Sequence, residues 1–179
     1  MPETKVALAL DGSHLQELLL TDWIELGHDR AAFDCGVPAL NEFLHKYAVQ
    51  QSKKGLTTVY LLIDRRQSAD ILGFYALSAS KVEATRLSAA AQKKLPRYPI
   101  PCFRMGRLAC SATRQGIGLG RILLGLAVER CLRARAQVAA YALLVDAKDE
   151  HAAGFYSHFG FTALQDAPLS LYLALGLGL

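Results

Sequence analysis

Gln115-Gly116-Ile117-Gly118-Leu119-Gly120 is the stretch on which the reading of this chain depends. Three glycines at alternate positions let the backbone turn tightly and leave consecutive N–H groups bare. Leu119 then opens a run with helical spacing, so those N–H groups sit at the positive end of a helix dipole. That combination binds a phosphate or pyrophosphate. A P-loop is excluded, because no Gly-Lys-Ser/Thr follows. A Rossmann reading fits poorly. That fold wants the motif in its first βα unit with an acid about 20 residues on, and this motif lies past the middle of 179 residues. On these residues alone, a packing turn with no ligand stays open.

Working outward, Cys102 to Cys110 reads as the strand before the turn, and Leu119 to Arg135 as the helix after it. Ile122, Leu123, Leu126, Ala127 and Cys131 form the helix's inward face, and Glu129 and Arg133 pair at i,i+4 outside. Tyr141 to Val145 is a short apolar run that predicts a buried strand. A helix follows from Asp149 to Phe159 and stops at Gly160, then Phe161 to Leu164 and Leu169 to Leu175 read as strands. Upstream, Leu95 to Pro101 holds three prolines and is extended, while Ser88 to Lys94 forms a short helix. Val59 to Ile63 and Ile71 to Ser78 are strands flanking a polar hairpin loop, Asp64 to Asp70. Pro38 starts an amphipathic helix with Leu40, Phe43, Leu44, Tyr47 and Ala48 on its inner face, ending near Gly55. The chain before about residue 26 is expected to be weakly structured, with a turn at Asp11-Gly12-Ser13. This order predicts one α+β domain over residues 1–179, a three-layer α/β/α arrangement with a mixed central sheet.

Composition narrows the class. Hydrophobic residues make up 52%, enough for a sizeable core. No apolar run has the roughly 18–20 residues a membrane span needs, and the N-terminus lacks the basic region of a signal peptide. A cytosolic, non-membrane protein is expected. Cys35, Cys102, Cys110 and Cys131 have neither C-x-x-C spacing nor a histidine cluster, so no metal site is expected. Cys35, in a turn-like Asp-Cys-Gly, is the cysteine expected to be most exposed. Charge is uneven: residues 1–42 carry eight acids against two bases, and residues 81–107 carry seven bases against one acid. The basic segment suits a polyanion.

At these residues the chain resembles the GNAT acetyltransferases. Gln115, Gly118 and Gly120 fit their Gln/Arg-x-x-Gly-x-Gly/Ala motif, and Arg107-Leu108-Ala109-Cys110 resembles the strand before it. Gly154-Phe155-Tyr156-Ser157-His158-Phe159-Gly160-Phe161 resembles the later helix-to-strand segment that carries a tyrosine near the cofactor sulfur. Phe33-Asp34-Cys35-Gly36-Val37-Pro38-Ala39-Leu40-Asn41-Glu42-Phe43-Leu44 and Leu95-Pro96-Arg97-Tyr98-Pro99 are similar to the GNAT toxins of bacterial toxin–antitoxin pairs. The resemblance runs from about Gly27 to Leu175. It implies a GNAT fold, acetyl-CoA as co-substrate and aminoacyl-tRNA as acceptor. It also implies a ribbon–helix–helix antitoxin as partner, operator DNA reached only through that antitoxin, and a homodimer.

The implied roles follow the chemistry of acyl transfer. The backbone at Leu108, Ala109 and Cys110 would pair with the pantetheine arm and polarise the acetyl carbonyl. Gln115, Gly116, Ile117, Gly118, Leu119, Gly120 and Arg121 would hold the pyrophosphate. Tyr156 would protonate the departing thiolate, a phenol near pKa ~10 serving a thiol near ~8.5. His151 and His158 read as surface or capping residues, and Asp146 and Asp149 as strand-end and capping residues. An enzyme without a strong base suits an α-amine, pKa about 7.7–8.0, better than a lysine at about 10.4. Arg97, Arg104, Lys93 and Lys94 are the candidates for gripping tRNA phosphates. Two other readings stay open here: acetylation of a protein N-terminus or small amine, and a non-catalytic CoA-binding partner of an antitoxin.

Overall fold

A computed structural model describes residues 14–176. The Asp11-Gly12-Ser13 turn and the apolar Leu177-Gly178-Leu179 end lie outside the described residues. The elements run β1 (Leu15–Leu19), α1 (Leu20–Glu25), α2 (Pro38–Glu42), a π-helical segment (Phe43–Tyr47), α3 (Ala48–Lys53), β2 (Thr58–Asp64) and β3 (Gln67–Val82). They continue with α4 (Ala89–Gln92), β4 (Ile100–Cys110), α5 (Leu119–Ala134), β5 (Ala142–Asp146), α6 (Glu150–His158), β6 (Thr162–Leu164) and β7 (Ala167–Ala174). The strands form one mixed seven-stranded sheet in the order β1-β2-β3-β4-β5-β7-β6, in which β4 and β5 run parallel. This is the expected α+β architecture. The chain groups into two compact units, Met1–Leu77 with Arg107–Leu126, and Ser78–Gly106 with Ala127–Leu179.

In the first unit, Phe33, Phe43, Leu44, Leu61, Phe74 and Trp23 are buried in one core. Phe74 anchors it, edge-on to Phe33 at 5.6 Å and stacked near Phe43 at 6.1 Å. Residues 15–25, expected to be weakly structured, form β1 and α1 instead. Leu20 and Trp23 are buried there, and the Trp23 indole N–H donates to Ser68 O at 2.8 Å. That bond also corrects the hairpin loop expected over Asp64 to Asp70. The ladder pairs Asp64 with Gln67 and Ile63 with Ile71, so β3 starts at Gln67 and the residues between bulge outward. Asp64 closes the tight turn by accepting from the Arg66 N–H at 2.9 Å and pairing with its guanidinium at 2.7 Å. The Arg66 side-chain bond holds the Asp64 carboxyl well below its ordinary range.

The amphipathic helix is present from Pro38 to Lys53, and Gly55 stops it at φ +72°. Its middle widens into the π segment. The extra residue per turn shifts the phase, so Phe43, Leu44 and Ala48 are buried while Tyr47, expected inward, is 44% exposed. Arg30 Nε donates to the His45 carbonyl at 2.9 Å, satisfying a backbone group within the widened turn.

In the second unit, Val82, Leu87, Ile100, Cys102, Leu144 and Tyr172 form a core on one face of the strands. Ser88 caps α4, and its Oγ also accepts from the Tyr172 hydroxyl at 3.1 Å. Along α5 the buried residues are Leu119, Leu123, Leu124, Leu126, Ala127 and Cys131. Leu124 thus takes the inward place expected of Ile122, which is half-buried.

Candidate active site

The glycine turn lies in the first unit and ends β4. A 3-10 turn at Ala112–Arg114 leaves the strand, and α5 begins at Leu119. Gly116 and Gly118 adopt φ +81° and +89°, where a side chain is disfavoured, and Ile117 between them is 60% exposed at the tip. Gly120 sits inside the first turn of α5. Among the described residues, no backbone N–H from Gln115 to Arg121 donates to another backbone group. These donors, at the N-terminus of a helix of 16 residues, form an anion cradle.

The Phe-Asp-Cys-Gly segment braces this turn. Asp34 Oδ1 accepts from the Gly36 N–H and from Asn41 Nδ2, both at 2.8 Å, and the Cys35 N–H donates to Asn41 Oδ1 at 2.9 Å. The Gly36 N–H, then Asn41, lower the Asp34 pKa. The braced loop reaches the turn through two contacts. The Ala112 N–H donates to Asp34 O at 2.8 Å, and Gln115 Nε2 donates to Cys35 O at 3.0 Å and to Cys110 O at 3.3 Å. The Gln115 side chain therefore fixes the turn's position. Sequence reading missed this brace, although the seven-residue interval from Asp34 to Asn41 is its trace. Cys35 is buried, against expectation, with its thiol directed at Val37 O.

At the end of β4, Ala109 is buried while Leu108 and Cys110 are half-buried. Gly73 of β3 lies against this backbone: a Cβ there would come within 2.7 Å of Ala109 O. Burial pushes the Cys110 thiol up to about 11, so it stays protonated and is no nucleophile at neutral pH. The Arg107 guanidinium lies 3.7 Å from the centre of the Phe43 ring, a cation–π contact the sequence did not reveal. The parallel ladder pairs Cys102–Met105 with Ala142–Val145, and β4 continues to Cys110 beyond it.

In the second unit, Asp149 caps α6 by accepting from the Ala152 N–H at 2.8 Å, as expected. Tyr156 is the buried residue of that helix, edge-on to Phe155 at 5.3 Å and tilted to Phe161 at 5.5 Å. Burial pushes its phenol up to about 12. Among the described residues its hydroxyl makes no hydrogen bond. His151 and His158 are exposed. Of the basic candidates, Lys93, Lys94 and Arg97 are exposed. Arg104 differs: its Nη1 donates to Asp146 Oδ2, and its Nε donates to Ser80 Oγ at 3.4 Å. Among the described residues, no cluster of three metal-ligating side chains occurs, and no helix is long and apolar enough to cross a membrane.

No protein-family model matches the chain. It is 32% identical over 145 residues to the tRNA-acetylating toxin of Mycobacterium tuberculosis, covering 81% of this chain and 85% of the toxin. Two solved structures are also similar. The toxin AtaT complexed with acetyl-methionyl-tRNAfMet aligns with TM-score 0.82 and 33% identity, over 89% of this chain and 94% of that one. A tyrosine-to-phenylalanine mutant of AtaT, bound to the C-terminus of the antitoxin AtaR and acetyl-CoA, aligns with TM-score 0.75 and 29% identity, over 91% and 94%. A glycine turn at a helix N-terminus after β4, a tyrosine on α6 and relatives of this length and identity agree: the chain belongs to the family of GNAT-type, tRNA-acetylating toxins of toxin–antitoxin pairs.

Proposed function

We propose that this chain transfers the acetyl group of acetyl-CoA to the primary amine of an aminoacyl-tRNA and thereby blocks translation. The observation that carries the reading is the unpaired run of N–H donors from Gln115 to Arg121, next to the half-buried end of β4. The cradle fits a pyrophosphate, which Gly116 and Gly118 allow to approach the main chain closely. The β4 backbone at Leu108, Ala109 and Cys110 fits the amide-bearing pantetheine arm, paired as an added strand.

In transfer, the amine nitrogen bonds to the acetyl carbon and the carbon–sulfur bond breaks. Tyr156 gives its proton to the sulfur. The amine loses one proton on becoming an amide, and the phenolate regains one from solvent, so the step balances. A backbone N–H near the end of β4 polarises the carbonyl. An acid with a pKa near 12 is fully loaded at neutral pH. That is well above the ~8.5 of a solvated thiol, so donation runs in concert with carbon–sulfur bond breaking, to a sulfur whose own burial in the closed site raises its basicity.

Lys93, Lys94 and Arg97 contact tRNA phosphates, with Arg104 at their margin. The single acetyltransferase domain acts in the cytoplasm, where acetyl-CoA and charged tRNA meet. It forms a homodimer, and a ribbon–helix–helix antitoxin neutralises it and carries it to operator DNA. The test is cell-free translation. Added protein stops synthesis only when acetyl-CoA is supplied, and Tyr156→Phe restores it. Inhibition that is independent of acetyl-CoA contradicts the reading.

A further inference from the structure

Arg107 sits on β4 one residue before Leu108 and is half-buried. Its guanidinium lies over the Phe43 ring, 3.7 Å from the centre. Phe43 opens the π segment, is buried, and stacks near Phe74. A ring beneath the guanidinium offsets part of its charge but takes none of its N–H donors in their plane. Those donors have no partner: among the described residues, Arg107 makes no hydrogen bond and no ion pair. Arg30, Arg86 and Arg104 are half-buried too, and each reaches an oxygen, on His45, Asp166 and Asp146 respectively. Arg135 Nη1 also lacks an acceptor, but it lies in the second unit with no assigned site beside it. Burial lowers the Arg107 pKa and no opposing charge raises it, yet a guanidinium stays protonated. A partly desolvated cation with open donors is matched to an anion.

The place of Arg107 on β4 says which anion. With the phosphates of acetyl-CoA at Gln115 to Arg121, the pantetheine arm runs back along Cys110, Ala109 and Leu108. Its acetyl end then falls at Leu108, next to Arg107, and all of these residues belong to the first unit. Side chains alternate along a strand, so Arg107 shares a face with Ala109, which packs in the same core as Phe43. Acetyl-CoA carries its phosphates at the far end of the arm and no charge near the thioester. The acceptor amine is neutral or cationic. The anion nearest to that amine is the phosphate joining the terminal nucleotide of the tRNA to the rest of its chain. With acetyl transfer to aminoacyl-tRNA as the starting point, we infer that Arg107 binds the phosphate on the 5′ side of the tRNA's terminal nucleotide while the aminoacyl ester meets the thioester. A guanidinium holds phosphate oxygens through paired, parallel hydrogen bonds, so the contact orients the acceptor as well as binding it. Arg107 is then a substrate-binding residue at the reacting end, in addition to Lys93, Lys94 and Arg97.

The test compares two small acceptors, a 3′-O-aminoacyl-adenosine and its 5′-phosphate, each carrying the amino acid that wild type acetylates on total charged tRNA. Steady-state acetyl transfer is measured for wild type, Arg107→Gln and Arg107→Lys. Wild type favours the phosphorylated ester about tenfold or more in kcat/KM, the worth of a charge-assisted hydrogen bond. Arg107→Gln loses that preference, and Arg107→Lys, a point charge without the fork, keeps part of it. On charged tRNA, Arg107→Gln raises the KM about tenfold and lowers the log–log salt slope by about 0.7, as for one phosphate of a single strand. This second arm decides the matter where the small esters turn over too slowly to measure. If Arg107 only packs on Phe43, Arg107→Gln weakens use of both esters alike and keeps their ratio, which overturns the inference. So does a wild type indifferent to the 5′-phosphate, or a tRNA KM unchanged in Arg107→Gln. A rise confined to the acetyl-CoA KM assigns Arg107 to the cofactor's phosphates and overturns it as well. If wild type acetylates neither charged tRNA nor either ester while labelling protein, the functional reading itself fails and this inference falls with it.

Discussion

At Gly118 the backbone holds φ +89° with open space where a Cβ would stand. Gly118→Ala therefore meets no clash and costs only the left-handed backbone, about 1–2 kcal/mol. The expected outcome is a raised KM for acetyl-CoA with little change in kcat, read by steady-state kinetics. Gly73 is the opposite case. Its φ is ordinary, but an added methyl lies 2.7 Å from both Ala109 O and Leu123 Cδ1. The leucine can move and the strand carbonyl cannot, so Gly73→Ala lowers the unfolding free energy by about 1–3 kcal/mol, measured by denaturant titration. Tyr156→Phe keeps the packing against Phe155 and Phe161 and removes the proton. Its kcat falls about 10²-fold at constant melting temperature. Since burial raises the phenol to about 12, Tyr156 stays protonated through the neutral and mildly alkaline range. The rate of the wild type thus rises as the acceptor amine deprotonates, near pH ~8, and shows no descending limb from Tyr156 below about pH 10. Tyr156 was legible as an aromatic in a family-like segment. A core place beside Phe155, Phe159 and Phe161 was legible too; how far that burial raises the phenol, which sets the pH behaviour, was not.

Elements explain why some side chains were readable and others were not. Glycine spacing and helical periodicity are local, so the turn, α5 and α6 follow from residues a few positions apart. The brace linking Asp34, Asn41, Cys35 and Gln115 joins positions 80 apart, and no periodicity carries it. The same holds for Arg104 and Asp146, 42 apart. The π segment moved Tyr47 outward because it breaks the period on which the inner face was assigned. Ser68 to Asp70 has a loop's composition, yet Trp23 ties its carbonyl into the edge of β3. If the brace positions the cradle, Asn41→Ala, far in sequence from the turn, weakens acetyl-CoA binding several-fold, about the worth of one or two hydrogen bonds. Isothermal titration of acetyl-CoA checks this, and unaltered affinity shows that the turn stands without the brace.

On the scale of the whole chain, the concentration of bases within residues 81–107 makes salt the natural probe. Charged tRNA binding should weaken steeply as salt rises, and Arg97→Glu should lower affinity at all salt concentrations. Losing one phosphate contact reduces the log–log slope by about 1. Arg104→Gln should change the slope less, because its guanidinium already serves Asp146 and Ser80. The fold class, the order of most elements and the family were legible before the structure. Left to the structure were β1 and α1, which carry no strong periodic signal, and the side-chain networks that distinguish Arg104 from its exposed neighbours.

Every role assigned above depends on acetyl transfer to aminoacyl-tRNA through Tyr156. Its most direct test is incubation of the purified protein with labelled acetyl-CoA and total charged tRNA, beside uncharged tRNA and ribosomal proteins. Label is expected on charged tRNA alone, released by mild base with the amino acid and lost in Tyr156→Phe. Label on protein, or on charged tRNA at an undiminished rate in Tyr156→Phe, would contradict it.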